Sequence, residues 1–154
     1  MRQENPGIDD VVMPALLRHA RNTYGTAMRQ ALAEAGYDDI PRNGLYVIGG
    51  LALGAGDVPL SRLIEELGVS KQTAGQLIDT LVLRGYLYRA TDEDDRRRLT
   101  VALTERGKAA AETQAAARKK IDAELAARVG PETVRHARKA LAALIAMGRA
   151  PQDH

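Results

Sequence analysis

The chain contains no cysteine, no tryptophan and no phenylalanine. Without thiols there are no disulfides, no thiolate zinc sites and no cysteine-based redox sensing. Aromatics make up 3% and hydrophobic residues 45%, so a core has to be built from Leu, Ile, Val and Ala. Alanine-heavy packing lets helix backbones approach closely, which suits a helical protein. No apolar run is long enough to span a bilayer, and nothing at Met1 resembles a signal peptide, so a cytoplasmic protein with no membrane partner is expected. An excess of one charge is missing too. The net charge is only +2, so any nucleic-acid footprint must be local. Of the 22 basic residues 17 are arginine, which favours bidentate phosphate and guanine binding but also reflects GC-rich coding.

At 154 residues the sequence fits one domain with helical extensions. Residues Asp9 to Ala35 predict a long helix, with Leu16, Leu17, Ala20, Tyr24, Ala27, Met28, Ala31 and Leu32 at three- and four-residue steps. Pro41 is expected in the first turn of an apolar helix running from Arg42 to Leu53. Val58 to Leu60 predicts a short strand. Leu60 or Ser61 opens a helix that ends at Gly68, with Leu60, Leu63, Ile64 and Leu67 apolar. Ser70 is the expected N-cap of a helix from Lys71 to Arg84, closed by Gly85. Two strands follow, Tyr86 to Ala90 and Leu99 to Leu103. Thr104 caps a helix to about Arg128, and after Gly130 and Pro131 a last amphipathic helix runs from Glu132 to about Met147. Val134, Ala137, Leu141, Leu144 and Ile145 share one side of it, and the tail Gly148 to His154 is expected to fray.

Helix, turn, helix and charged hairpin make the layout of a winged helix, a device for holding DNA. On Lys71 to Arg84 the buried stripe is Ala74, Leu77, Ile78, Leu81 and Val82. Gln72, Gln76 and Asp79 point nearly opposite, with Thr73 and Thr80 beside them. Glutamine pairs with adenine through two hydrogen bonds, and threonine offers a hydroxyl and a methyl to thymine. Ser70 and Lys71 suit phosphate, helped by free N–H groups at the helix start. Asp79 repels phosphate, so it should face a cytosine amine or an arginine, or point past the DNA. The hairpin tip carries Arg96, Arg97 and Arg98, a set able to enter a narrow minor groove. Some of the acids Asp92, Glu93, Asp94 and Asp95 are expected to shape the turn and fix those arginines. The plain alternatives are a solvated helix face and a mixed-charge loop.

These residues resemble the MarR-type winged-helix transcription regulators. The likeness covers Pro59 to Gly107 and rests on Leu63, Leu67, Ser70, Thr73, Leu81, Gly85, Leu87 and Arg89, then Asp95, Arg97, Leu103, Thr104 and Gly107. The specific part is Asp-x-Arg in the wing, followed six residues later by Leu-Thr-x-x-Gly. Glu93 departs from the pattern, where a proline often follows the first wing acid. The resemblance implies a mainly α fold with a small β-wing, in which a winged helix-turn-helix lobe (40–103) is flanked by dimerisation helices (9–35 and 104–148). It implies a homodimer, most often a repressor, on a near-palindromic double-stranded operator. Arg89 then joins the DNA-binding set, Arg97 enters the minor groove and Asp95 orients the wing. The resemblance also implies a cleft for a small aromatic or phenolic effector, for which His19, Tyr24, Arg42 and Tyr46 are the candidates.

Other readings have less to stand on. Gly49, Gly50, Gly54 and Gly56 are in the wrong order for a dinucleotide fingerprint and lack the lysine of a P-loop, so close helix packing is the better account. His19, His136 and His154 have no metal-ligand spacing. No nucleophile–base or paired-carboxylate set stands out, so neither an enzyme nor a cofactor is expected. The alternative outside DNA binding is a winged-helix module whose wing meets protein.

Overall fold

The computed structural model describes residues 7–54 and 58–149. The side chains of Val58 and Leu60 lie outside that description, as do Gly56 and the end of the predicted frayed tail, 150–154, with His154. The chain divides into two compact units, Met1–Arg118 and Lys119–His154. Among the described residues no helix is long and apolar enough to cross a membrane.

Six α-helices and three strands are described: α1 Met13–Glu34, α2 Gly44–Leu53, β1 Val58–Pro59, α3 Leu60–Leu67, α4 Lys71–Leu83, β2 Leu87–Thr91, β3 Leu99–Leu103, α5 Glu105–Val129 and α6 Pro131–Arg149. The fold is mainly α with a small β-wing. The sheet order is β1-β3-β2, all antiparallel, with Val58 opposite Val101 and Arg89 opposite Val101 on the other side. Pro59 sits on the edge strand, where its missing donor costs no ladder bond.

Several predicted boundaries move, and α6 runs on through Gly148 and Arg149, part of the tail expected to fray. The first helix starts at Met13 rather than Asp9, and Ile8–Asp10 forms a separate 3-10 turn. A helix from Asp9 would press the Pro14 ring against the carbonyl of Asp10, so proline is accommodated only in the first turn. The second helix starts at Gly44 rather than Arg42, and Pro41 lies in the turn before it, where its carbonyl accepts from Gly44 N at 2.8 Å. The wing strand begins at Leu87 because Tyr86 is taken up in the turn that closes α4. Tyr86 N donates to Leu81 O (2.9 Å) and Gly85 N to Val82 O (3.0 Å), a paired closure made possible by Gly85 at φ 83°.

The core of the first unit gathers Met28 and Leu32 of α1, Leu45, Val47, Ile48 and Leu51 of α2, Ile78 and Leu81 of α4, and Leu87 and Val101 of the wing base. Only the C-terminal half of the predicted α1 stripe is buried there; Ala20 is exposed. The expectation of a purely aliphatic core fails at Tyr86, the largest fully buried side chain. Its hydroxyl explains the exception: it donates to Asp39 Oδ1, so the ring is buried with its polar end paired.

Gln114 of α5 is buried as well and donates to Leu45 O at 2.8 Å, bracing α5 on α2. Gly49 makes room for it, since a Cβ there would lie 2.9 Å from Gln114 Nε2. Gly49 thus shows the close packing expected of the glycine-bearing helix, whereas Gly50 has nothing within 4 Å of an added Cβ.

Candidate nucleic-acid interface

Helix α4 is fixed at both ends by its own sequence. Ser70 Oγ accepts from Thr73 N at 3.1 Å, satisfying one free donor of the first turn, while its hydroxyl donates to Thr73 Oγ1 at 2.9 Å. Ala74, Ile78 and Leu81 are fully buried and hold one side against the core. Lys71, Gln72, Thr73, Gln76 and Asp79 are thereby left exposed. Thr80 is half-buried, and its hydroxyl donates back to Gln76 O at 2.9 Å, so it offers less to a partner than its neighbours do.

The wing tip is shaped by two of its acids. Asp92 N donates to Arg98 O (2.9 Å) and closes the hairpin. Asp92 Oδ1 accepts from Asp94 N and Asp95 Oδ1 accepts from Arg97 N, both at 3.0 Å. These side-chain-to-backbone bonds stand in for backbone turns and fix the root of Arg97. The acids therefore shape the turn as expected, but they do so through the backbone and leave the guanidinium groups alone. Arg96, Arg97 and Arg98 are all exposed, and among the described residues none of them makes an ion pair.

Of the options open for Asp79, the structure selects an arginine: it pairs with Arg89 Nη2 on β2. Helix α4 and the wing are thus joined by one ion pair across their exposed faces. A second junction ties the lobe to α5. Arg106 Nη2 donates to Asp39 Oδ1 (3.1 Å) and to the Tyr86 hydroxyl oxygen (2.9 Å), and Arg84 Nη1 reaches Asp39 O. The Arg106 guanidinium also lies 4.6 Å from the Tyr86 ring centroid, and Tyr37 meets that ring edge-on at 6.2 Å. The hydrogen bond from Tyr86 does most to hold the Asp39 carboxyl below its usual range; burial opposes this, and the charge of Arg106 adds to it. The Tyr86 phenol is pushed up to about 12, first by burial and then by its bond to Asp39. Nothing in the sequence pattern signals this junction, because residues 39, 84, 86 and 106 share no helix or strand.

Of the four effector candidates, His19 and Arg42 are exposed, Tyr24 is half-buried beside the core, and the Tyr46 ring lies under Arg21 at 3.9 Å. A groove of about 510 Å³ opens elsewhere, between the end of α2, the wing base and α5. Leu51, Leu53, Tyr88, Leu103, Lys108 and Arg118 are among its lining residues, and none of the four candidates is. Among the described residues no group of His, Asp or Glu could hold a metal ion.

A capped, half-exposed helix beside an arginine-tipped hairpin defines a winged-helix protein. The family model for the MarR family matches residues 38–98, which spans this lobe up to the wing tip. Solved structures agree over nearly the full length. FabT of Streptococcus pneumoniae, in complex with DNA, superposes with a TM-score of 0.73 at 22% identity, covering 89% of this chain and 95% of its own. The S. aureus MepR–DNA complex gives 0.72 at 18% identity, covering 90% and 99%. E. coli MarR in its apo form gives 0.65 at 19% identity, covering 87% and 97%. Comparison with curated proteins found no sequence match.

Proposed function

We propose that the chain is a sequence-specific DNA-binding transcriptional regulator, a homodimer that acts as a repressor. The observation that carries this is the exposed polar face of α4 (Gln72, Thr73, Gln76) set beside the exposed wing arginines. In this reading α4 enters the major groove and reads base edges, Ser70 and Lys71 meet phosphate, and Arg96 and Arg97 reach the adjoining minor groove. Two relatives of the same fold were solved on DNA. The dimer is supported by apolar side chains that the single chain leaves open, including Leu141, Leu144 and Ile145 of α6 at 40%, 44% and 54% exposure.

Enrichment of duplexes from a random pool tests the reading. It predicts a two-fold-related motif with half-sites about one helical turn, roughly 34 Å, apart. Recovery of no motif would move the function to protein interaction. Release by a small aromatic or phenolic acid belongs to the same proposal. Such a ligand would shift the separation of the two reading helices and remove simultaneous engagement of both half-sites. Binding in the groove above should raise the melting temperature, and a panel of such acids with no thermal shift removes this part of the proposal.

A further inference from the structure

Asp79 is the only acid in α4, and it stands on the face that carries Gln72 and Gln76. A carboxylate there repels phosphate, so its presence on a DNA-reading face needs a reason. Its ion pair with Arg89 supplies one. Arg89 is at the root of the wing, on the central residue of β2, where an unpaired guanidinium would meet the phosphates of any duplex regardless of sequence. Both partners are partly open to solvent, with side-chain exposures of 35% and 65%. The pair is therefore weak enough to yield to a well-placed phosphate, yet strong enough to hold the side chain's direction. Only Nη2 of the guanidinium is engaged by Asp79, so the rest of the donor fork remains available.

We infer that Asp79 is a specificity-determining residue: it positions Arg89 and cancels its charge, so that Arg89 contributes little on arbitrary DNA and is committed on a duplex docked in register. The inference rests on the DNA-binding reading above and adds a source of discrimination to it.

Asp79→Asn, titrated against an unselected random duplex pool and against duplex enriched by the wild-type protein, tests it across a salt series. Affinity for the pool should rise severalfold, and the salt dependence there should steepen by about one phosphate contact, a log–log slope change of about 0.9. The enriched duplex should change less, so the ratio between the two narrows. Asp79→Glu should keep the wild-type ratio. In an Arg89→Gln background, Asp79→Asn should leave pool binding unchanged. The inference is overturned if Asp79→Asn alone leaves the pool affinity and slope as they were. It is overturned equally if the substitution raises pool binding by the same factor with and without Arg89, since simple repulsion would then suffice. Wild-type protein that binds no duplex in a salt-sensitive way would instead sink the DNA reading, and this inference with it. Matching far-UV circular dichroism across the variants removes folding as a cause.

Discussion

Gly107→Ala is expected to destabilise the protein by about 3 kcal/mol and to lower its melting temperature by roughly 10 °C. A Cβ on residue 107 would lie 2.1 Å from the Tyr86 carbonyl oxygen and 3.1 Å from Leu103 Cδ2. The first neighbour is backbone and has nowhere to go. Tyr86 O already accepts from Thr104 N at 3.1 Å, and Tyr86 itself is held by the closure of α4 and by its buried hydroxyl. Gly107 N in turn donates to Thr104 Oγ1 at 3.0 Å, the N-cap of α5. One missing methyl group thus allows α5 to start directly against the Tyr86 backbone that follows α4. Gly50→Ala is the matched control. It is an exposed position in α2 with nothing within 4 Å of an added Cβ, and it should be neutral or stabilising by up to about 1 kcal/mol. Thermal unfolding followed by circular dichroism separates the two. Equal melting temperatures for Gly107→Ala and wild type would contradict this packing.

Replacing Leu144 and Ile145 together by glutamate is expected to halve the mass measured by light scattering and to weaken operator binding roughly 100-fold. Helix α6 has no buried residue in the single chain, although Val134, Ala137, Leu141, Leu144 and Ile145 recur at helical spacing. Leu125 and Val129 on α5 are likewise 40% and 44% exposed. Isolated amphipathic helices gain most of their stability from covering such a face, and a second copy of the chain is the occupant proposed here. The affinity effect follows from geometry. Two tethered reading helices bind with the effective concentration of a linked pair, whereas a separated monomer binds one half-site at its intrinsic affinity. Wild-type protein with the mass of a single chain, or a double variant that stays dimeric, would contradict the dimer.

Much of the lobe is legible in the sequence because short-range rules decide it. The N-cap at Ser70, the buried stripe through Ala74, Ile78 and Leu81, the left-handed Gly85 and the strand Leu99–Leu103 are all set by neighbours within a few residues. The wing acids are legible in role, since Asp92 and Asp95 act on backbone two residues ahead. What stays hidden depends on long-range partners. Tyr86 reads as an ordinary strand residue until Asp39 and Arg106 are brought to its hydroxyl. Asp79 has three admissible roles until folding places Arg89 beside it. Gly107 is visible as a motif residue, but the reason for it, the Tyr86 carbonyl, is 21 positions away in the chain. The groove between α2, the wing base and α5 draws on three separate stretches, and no periodicity in any one of them marks it.

The central claim is that α4 and the wing arginines form one DNA-reading surface. The measurement that tests it most directly is a fluorescence-anisotropy titration of wild type and Arg97→Ala against the enriched duplex at two salt concentrations. Arg97 leaves the tip from a backbone fixed by Asp95, so its removal takes away a placed guanidinium without disturbing the turn. The predicted result is tight, salt-sensitive binding by wild type and a loss of about tenfold or more in the variant, with a shallower salt dependence. Equal affinities for the two proteins, or weak binding that ignores salt, would contradict the claim.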